Sequence, residues 1–227
     1  MTHLKRYSMP KAWPLGVKKG KWVVVPRAGP HKKSLCIPLQ IVIRDVLKIA
    51  EIAKEAKSII ASKKVLIDKK LKRDPNYPVG FMDVVEFPDI KKYYRVVTSS
   101  KGLTLEEINE AESKKKICMI KDKTVSKGGK VQLNLHDGRN LTIEKDEYKT
   151  FDSILIELPK QKILEHYKLE KSANVVIISG RNVGTKGIVK EMNLRKVMTE
   201  KSNIVIQSEG KDIETPKDYI FVTGGKK

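Results

Sequence analysis

Ten cationic side chains precede Asp45, the first acidic residue in the chain: Lys5, Arg6, Lys11, Lys18, Lys19, Lys21, Arg27, Lys32, Lys33 and Arg44. A solvated surface mixes its signs, whereas a single-sign block repels itself unless an anionic partner lies against it. Tyr7, Trp13 and Trp22 are interleaved with these cations. The mixture suits RNA, because a ring stacks on an unpaired base while lysine and arginine neutralise phosphates. Either tryptophan could equally anchor this segment on a small core.

The same imbalance holds for the whole chain of 227 residues, where 47 Lys+Arg face 27 Asp+Glu, a formal net charge of +20. The surplus is uneven: residues 1–105 carry net +15, residues 106–170 net 0 and residues 171–227 net +5. Two further groups of candidate contacts follow from it. Lys63, Lys64, Lys69, Lys70, Lys72 and Arg73 form a second basic cluster, and Arg181, Asn182 and Lys186 punctuate a glycine-bearing stretch near the C-terminus.

Catalysis needs convergent groups, and the chain offers none at diagnostic spacing. The segment Gly180-Arg181-Asn182-Val183-Gly184-Thr185-Lys186 fits neither the phosphate-binding P-loop nor a dinucleotide fingerprint. His3, His31, His136 and His166 are scattered, without the paired spacing of a metal site. Cys36 and Cys118 lie in apolar stretches, where thiols are buried and inert. Two distant cysteines make no disulfide framework, which fits a reducing cytoplasm. The start lacks the apolar core of a leader, and no apolar run approaches the roughly 18 residues of a membrane span. No enzyme activity, cofactor, metal, small-molecule substrate or membrane is expected.

Several elements must position these side chains. Pro10, Pro14, Gly16, Gly20, Pro26, Gly29 and Pro30 break the first segment too often for a long helix. Leu39, Val42, Ile43, Val46, Leu47 and Ala50 then recur at helical spacing, with Pro38 suited to the first turn. A second short helix places Ala53, Ala56, Ile59 and Ile60 on one face. Residues 65–74 read as strand, turn and strand, and residues 77–87 as a loop ending in a strand. Two helices on a small sheet with a cationic rim result.

Residues 105–114 have helical character, and the alternation of 131–135 runs through Asp137-Gly138 into 141–143 as a hairpin. Residues 153–158 form another strand of this nearly neutral part. Near the C-terminus, strands at 175–178, 188–189, 204–206 and 219–222 predict a small five-strand barrel. Gly180, Gly184 and Gly187 are expected to turn sharply at positive φ. The fold class is α+β and multi-domain.

The order Leu4-Lys5-Arg6, Pro10-Lys11-Ala12-Trp13, Gly29-Pro30-His31-Lys32, Pro38-Leu39, Tyr77-Pro78-Val79-Gly80-Phe81-Met82-Asp83-Val84 and the glycine loop of 176–189 carries a resemblance over essentially the whole chain. It resembles the archaeal and eukaryotic small-subunit ribosomal protein family called S-four-e, and the chain's end soon after the barrel looks archaeal. The resemblance implies four parts: a basic N-terminal extension (1–36), a small α/β RNA-binding module of the alpha-L type (37–105), a central β-rich domain (106–170) and a C-terminal SH3-like barrel of the KOW type (171–227). It also implies small-subunit ribosomal RNA and neighbouring ribosomal proteins as partners, in the cytoplasmic ribosome. The basic residues named above, with Trp13, Trp22 and His31, are then the RNA contacts.

Two positions depart from the family pattern. Asp68-Lys69 stands where Asp-Gly is frequent, so a different turn type is expected there. Ala12 stands where a histidine often precedes Trp13. The chain-leading cations predict an arm that orders on RNA, held apart by its own charge in isolation. Two other readings compete: an RNA-modifying enzyme using the module for targeting, and a KOW protein of transcription elongation. The first must fit its chemistry into 106–170, and the second leaves the cationic arm unexplained.

Overall fold

A computed structural model describes residues 3–126, 128–144, 146–193, 202–208 and 210–224. Its strands far outnumber its helices, and it divides into two compact units: Met1–Lys116 with Glu157–Gln161, and Ile117–Ile156 with Lys162–Lys227.

The first unit opens with β1 (Leu4–Lys5) and β2 (Trp22–Val23), an antiparallel pair that folds the arm back on itself. β3 (Cys36–Pro38) runs into α1 (Leu39–Ile41), which continues as a wider π-helical turn over Val42–Val46. Helical periodicity placed the buried face correctly, since Leu39, Val42, Ile43 and Ala50 are all in the core. The helix itself is shorter than the apolar pattern, because Lys48 takes a left-handed conformation (φ 54°) and ends it. α2 (Ala53–Ala61) follows and buries Ala56 and Ile60. Its start is capped by Glu55, whose carboxylate accepts the Glu51 and Ile52 N–H groups at 3.0 and 3.3 Å.

β4 (Leu66–Ile67), β5 (Lys70–Leu71), β6 (Pro78–Gly80), β7 (Val84–Phe87), β8 (Lys92–Ser99) and β9 (Gly102–Glu107) complete this unit's sheets, with α3 (Glu110–Ser113) after them. Five strands are ordered β5-β4-β7-β8-β9, and β3 pairs with β6. The turn between β4 and β5 corrects the expectation of an altered type. Asp68 and Lys69 both sit at positive φ (49° and 62°), the geometry a type I′ hairpin requires. A second correction concerns residues 105–107. They belong to β9 because Leu105 pairs with Val96 across the hairpin, and only the four residues of α3 are helical.

β10 (Lys115–Val125, in the second unit from Ile117), β11 (Val131–Leu135), β12 (Asn140–Ile143), β13 (Ser153–Glu157, in the second unit to Ile156) and β14 (Lys162–Tyr167) lie in the order β12-β11-β10-β13-β14. Val131, Leu133 and Leu135 alternate inward, as a half-buried strand must. β15 (Asn174–Ile177), β16 (Lys186–Asn193), β17 (Asn203–Ser208), β18 (Lys211–Pro216) and β19 (Ile220–Gly224) form a five-stranded sheet ordered β18-β17-β16-β15-β19. Val175, Ile177, Val189, Ile204, Ile206, Ile220 and Val222 fill its core. Gly180 and Gly184 turn at φ 93° and 84° as expected. Gly187 instead lies inside β16, where a Cβ would meet the Gln207 carbonyl at 2.5 Å, so close packing rather than a turn requires glycine there.

Candidate nucleic-acid interface

The arm is folded onto the first unit, not held apart by its charge. Leu4 and Trp13 are core residues, and the Trp13 indole N–H donates to the Cys36 carbonyl at 2.6 Å. The Leu103 N–H donates to the Ala12 carbonyl at 2.8 Å, and that carbonyl leaves no room for a Cβ on Gly102, whose φ of 112° also favours glycine. Arg6 points inward as well. It is 7% exposed, and its guanidinium donates to the Gly16 and Lys19 carbonyls at 3.2 and 2.7 Å. Arg6 and Trp13 therefore fix the shape of the arm and present neither charge nor ring to a ligand.

His31 is also interior. Its imidazole lies against Gly80, where any side chain would collide with the ring, and its Nε2 is 3.0 Å from the Asp83 carboxylate. Asp83 accepts the Gly80 N–H at 2.8 Å and lies 2.6 Å from the Lys116 ammonium. Lys116, fully buried, reaches Asp68 at 2.7 Å, and Asp68 accepts the Val84 N–H at 3.0 Å. Burial alone would raise the Asp83 pKa. The Lys116 charge, reinforced by His31 and the Gly80 N–H, overrides it and holds the carboxyl well below the usual range. Lys69 is half-buried: its ammonium lies 2.8 Å from Glu86 and donates to the Ser113 hydroxyl at 2.8 Å. Burial pushes the Glu86 pKa up against the pull of Lys69. His31 and Lys69 are thus committed to the fold. Spacing had not brought Asp68, Asp83, Glu86 and Lys116 together, although charged residues inside the apolar runs at 81–87 and 116–120 carried the signal.

What remains outside is a surface of the first unit. Lys5, Lys11, Lys18, Lys19, Lys21, Arg27, Lys32, Lys33, Lys63, Lys64, Lys70 and Arg73 are exposed. Arg27 and Lys64 have loose partners in Asp74 (3.3 Å) and Asp89 (3.0 Å), weak constraints at such exposure. Arg44 is bound to Asp45 at 2.7 Å and is partly covered, and Lys72 lies over the Tyr77 ring at 4.4 Å. Trp22 is 52% exposed, with the Lys21 ammonium 5.3 Å from its ring centre and the His3 ring 5.6 Å away. The two tryptophans thus divide the roles left open by the sequence: Trp13 is an anchor and Trp22 an available face. In the second unit Arg181 and Asn182 are exposed on the turn between β15 and β16, whereas Lys186, expected on that loop, is exposed as the first residue of β16 and pairs with Val176.

Both thiols are buried, as expected. Burial, helped by Asp83, pushes the Cys36 pKa up to about 12. The fold also gathers Cys118, His136 and Asp137 with possible ligand atoms within 4.8 Å of one another. These atoms are engaged already. His136 Nδ1 accepts the Met119 N–H at 3.2 Å, Asp137 lies 3.2 Å from Arg139, and Cys118 Sγ donates to Asp137 at 3.6 Å.

A model of the "Ribosomal family S4e" matches residues 90–163, and one of the "RS4NT (NUC023) domain" matches residues 2–34. The "Small ribosomal subunit protein eS4" of Methanothermobacter thermautotrophicus is 41% identical over 223 residues, covering 98% of this chain and 92% of its own. The chain belongs to the S4e family of small-subunit ribosomal proteins. The eS4 protein of Archaeoglobus fulgidus, 40% identical over 226 residues, covers 99% of this chain and 94% of its own. The crystal structure of the 30S ribosomal protein S4e from Thermoplasma acidophilum shares the fold, with a TM-score of 0.72 and 27% identity over 84% of this chain and 96% of that one. As an S4e protein, this chain is a structural constituent of the small ribosomal subunit and not an enzyme. No helix among the described residues is long and apolar enough to cross a membrane.

Proposed function

We propose that this S4e protein is held in the small subunit by ribosomal RNA, gripped at two basic surfaces. The first is the exposed cationic face of the folded arm and of an alpha-L-type module at 37–105. The second is the loop carrying Arg181 and Asn182, with Lys186 at the strand that follows it, on a KOW-type barrel at 171–227. The nearly neutral stretch of 106–170 is left for spacing or for neighbouring ribosomal proteins, and the protein works in the cytoplasmic ribosome. Recognition is by shape and charge, since double-helical RNA hides its base edges and offers phosphates and 2′-hydroxyls.

The observation that carries this reading is the sorting of the leading cations. The arm turns Arg6 inward onto carbonyls and leaves Lys5, Lys11, Lys18, Lys19, Lys21, Lys32 and Lys33 exposed on a packed scaffold. A packed cationic face is pre-organised, so binding loses less conformational entropy than ordering a free arm would. Crosslinking on intact particles tests it: crosslinks from these lysines to ribosomal RNA are expected. A front face left uncrosslinked on the particle, or co-sedimentation with RNA polymerase instead of small subunits, would overturn it.

A further inference from the structure

An open groove runs along the first unit between the arm and the helical layer, with a volume of about 830 Å³. Trp22 forms part of its wall, and Arg27, Arg44, Lys57 and Arg73 place four cations around it against the single carboxylate of Asp74. Two carboxamides also line it, Asn76 and Gln40. Gln40 is the unusual member. It sits in α1, is 3% exposed, and its backbone N–H is satisfied by the Pro75 carbonyl at 2.9 Å. Among the described residues no hydrogen bond engages its carboxamide, which is left to water or to whatever occupies the groove.

We propose that the groove holds one unpaired RNA nucleotide, its base against Trp22 with the base edge on the Gln40 carboxamide. Every base presents a donor beside an acceptor on its Watson–Crick edge, which is the pattern a carboxamide complements. The sugar–phosphate lies against Lys57 and Arg73, which neutralise it, while Arg44 stays paired with Asp45. An acidic peptide would use the cations but not the ring face together with the Gln40 carboxamide, so RNA is the better match. The site adds a base-binding contact to a surface that otherwise grips backbone, and it rests on the RNA-binding reading above.

The test compares the full chain and two variants on a blunt RNA duplex and on the same duplex with a single-stranded 3′ overhang. For the unmodified protein the overhang is expected to tighten binding about tenfold, the size of one base–aromatic stack. Trp22→Ala and Gln40→Leu each remove that increment. Gln40→Leu also melts close to the parent, because it removes no side-chain hydrogen bond within the protein. A blunt duplex that binds without any overhang increment overturns the nucleotide site alone, whereas failure to bind either RNA overturns the RNA-binding reading itself. An increment that survives Gln40→Leu also overturns the site, as does polyglutamate displacing the overhang duplex as readily as an unlabelled overhang RNA.

Discussion

The Lys116 ammonium, wholly buried, lies 2.6 Å from the Asp83 carboxylate and 2.7 Å from that of Asp68. One cation between two carboxylates, with His31 on the far side of Asp83, ties the end of the arm, the β4–β5 turn and the start of β10 to one point. A buried charge is tolerated only where its partners are in place. Lys116→Met is therefore expected to lower unfolding stability by about 3–5 kcal/mol in a denaturant titration. Replacing Lys116, Asp68 and Asp83 together by Met, Asn and Asn should recover much of that loss. A single substitution without effect would mean that the ion cluster is incidental.

The same cluster sets an acid limit. The folded pKa of Asp83 lies below its unfolded value, so its contribution is complete above about pH 4 and is lost as pH falls through the depressed folded value. Melting temperature is expected to drop in that acid range. Asp83→Asn should begin less stable at neutral pH and lose less on acidification. Parallel curves for the two proteins would contradict this.

The two tryptophans should separate cleanly. Trp13→Ala removes a packed ring and leaves the Cys36 carbonyl without its 2.6 Å donor, an expected loss of about 3–5 kcal/mol. Trp22→Ala, at a half-exposed position, should change stability by under about 1 kcal/mol while weakening RNA binding. Fluorescence and melting of both variants check the pair.

Cys36 should resist alkylation. With its thiol pushed up to about 12, almost no thiolate exists at pH 8, so iodoacetamide is expected to label the protein only after denaturation. Rapid modification of the native protein would show that the arm leaves the core readily.

Much of this fold was legible in the sequence. Helical spacing found the buried face at Leu39, Val42 and Ile43, and apolar runs and alternation found β11 and the C-terminal strands β15, β17 and β19. β8, β10, β14 and β18 were harder, because charged residues interrupt their alternation and their pairing partners lie elsewhere in the chain. The candidate site divides similarly. Charge sign is a property of the sequence, so the basic blocks stood out. Which members turn inward is decided by partners far along the chain. Gly16 and Lys19 carbonyls hold Arg6, Asp83 holds His31, and Glu86 and Ser113 hold Lys69. The left-handed Lys69 illustrates the same point, since its backbone strain coincides with an ammonium fixed by contacts that spacing does not reveal.

The central claim is that phosphate backbones lie against the outward cations of the arm and module, and salt dependence measures that directly. A ribosomal RNA fragment titrated at several salt concentrations should give an affinity falling steeply with salt, each phosphate contact adding roughly −0.7 to −0.9 to the log–log slope. Replacing Lys18, Lys19 and Lys21 together by alanine should then flatten the slope by about 2. A slope near zero for the unmodified protein, or one untouched by the triple replacement, would contradict the account.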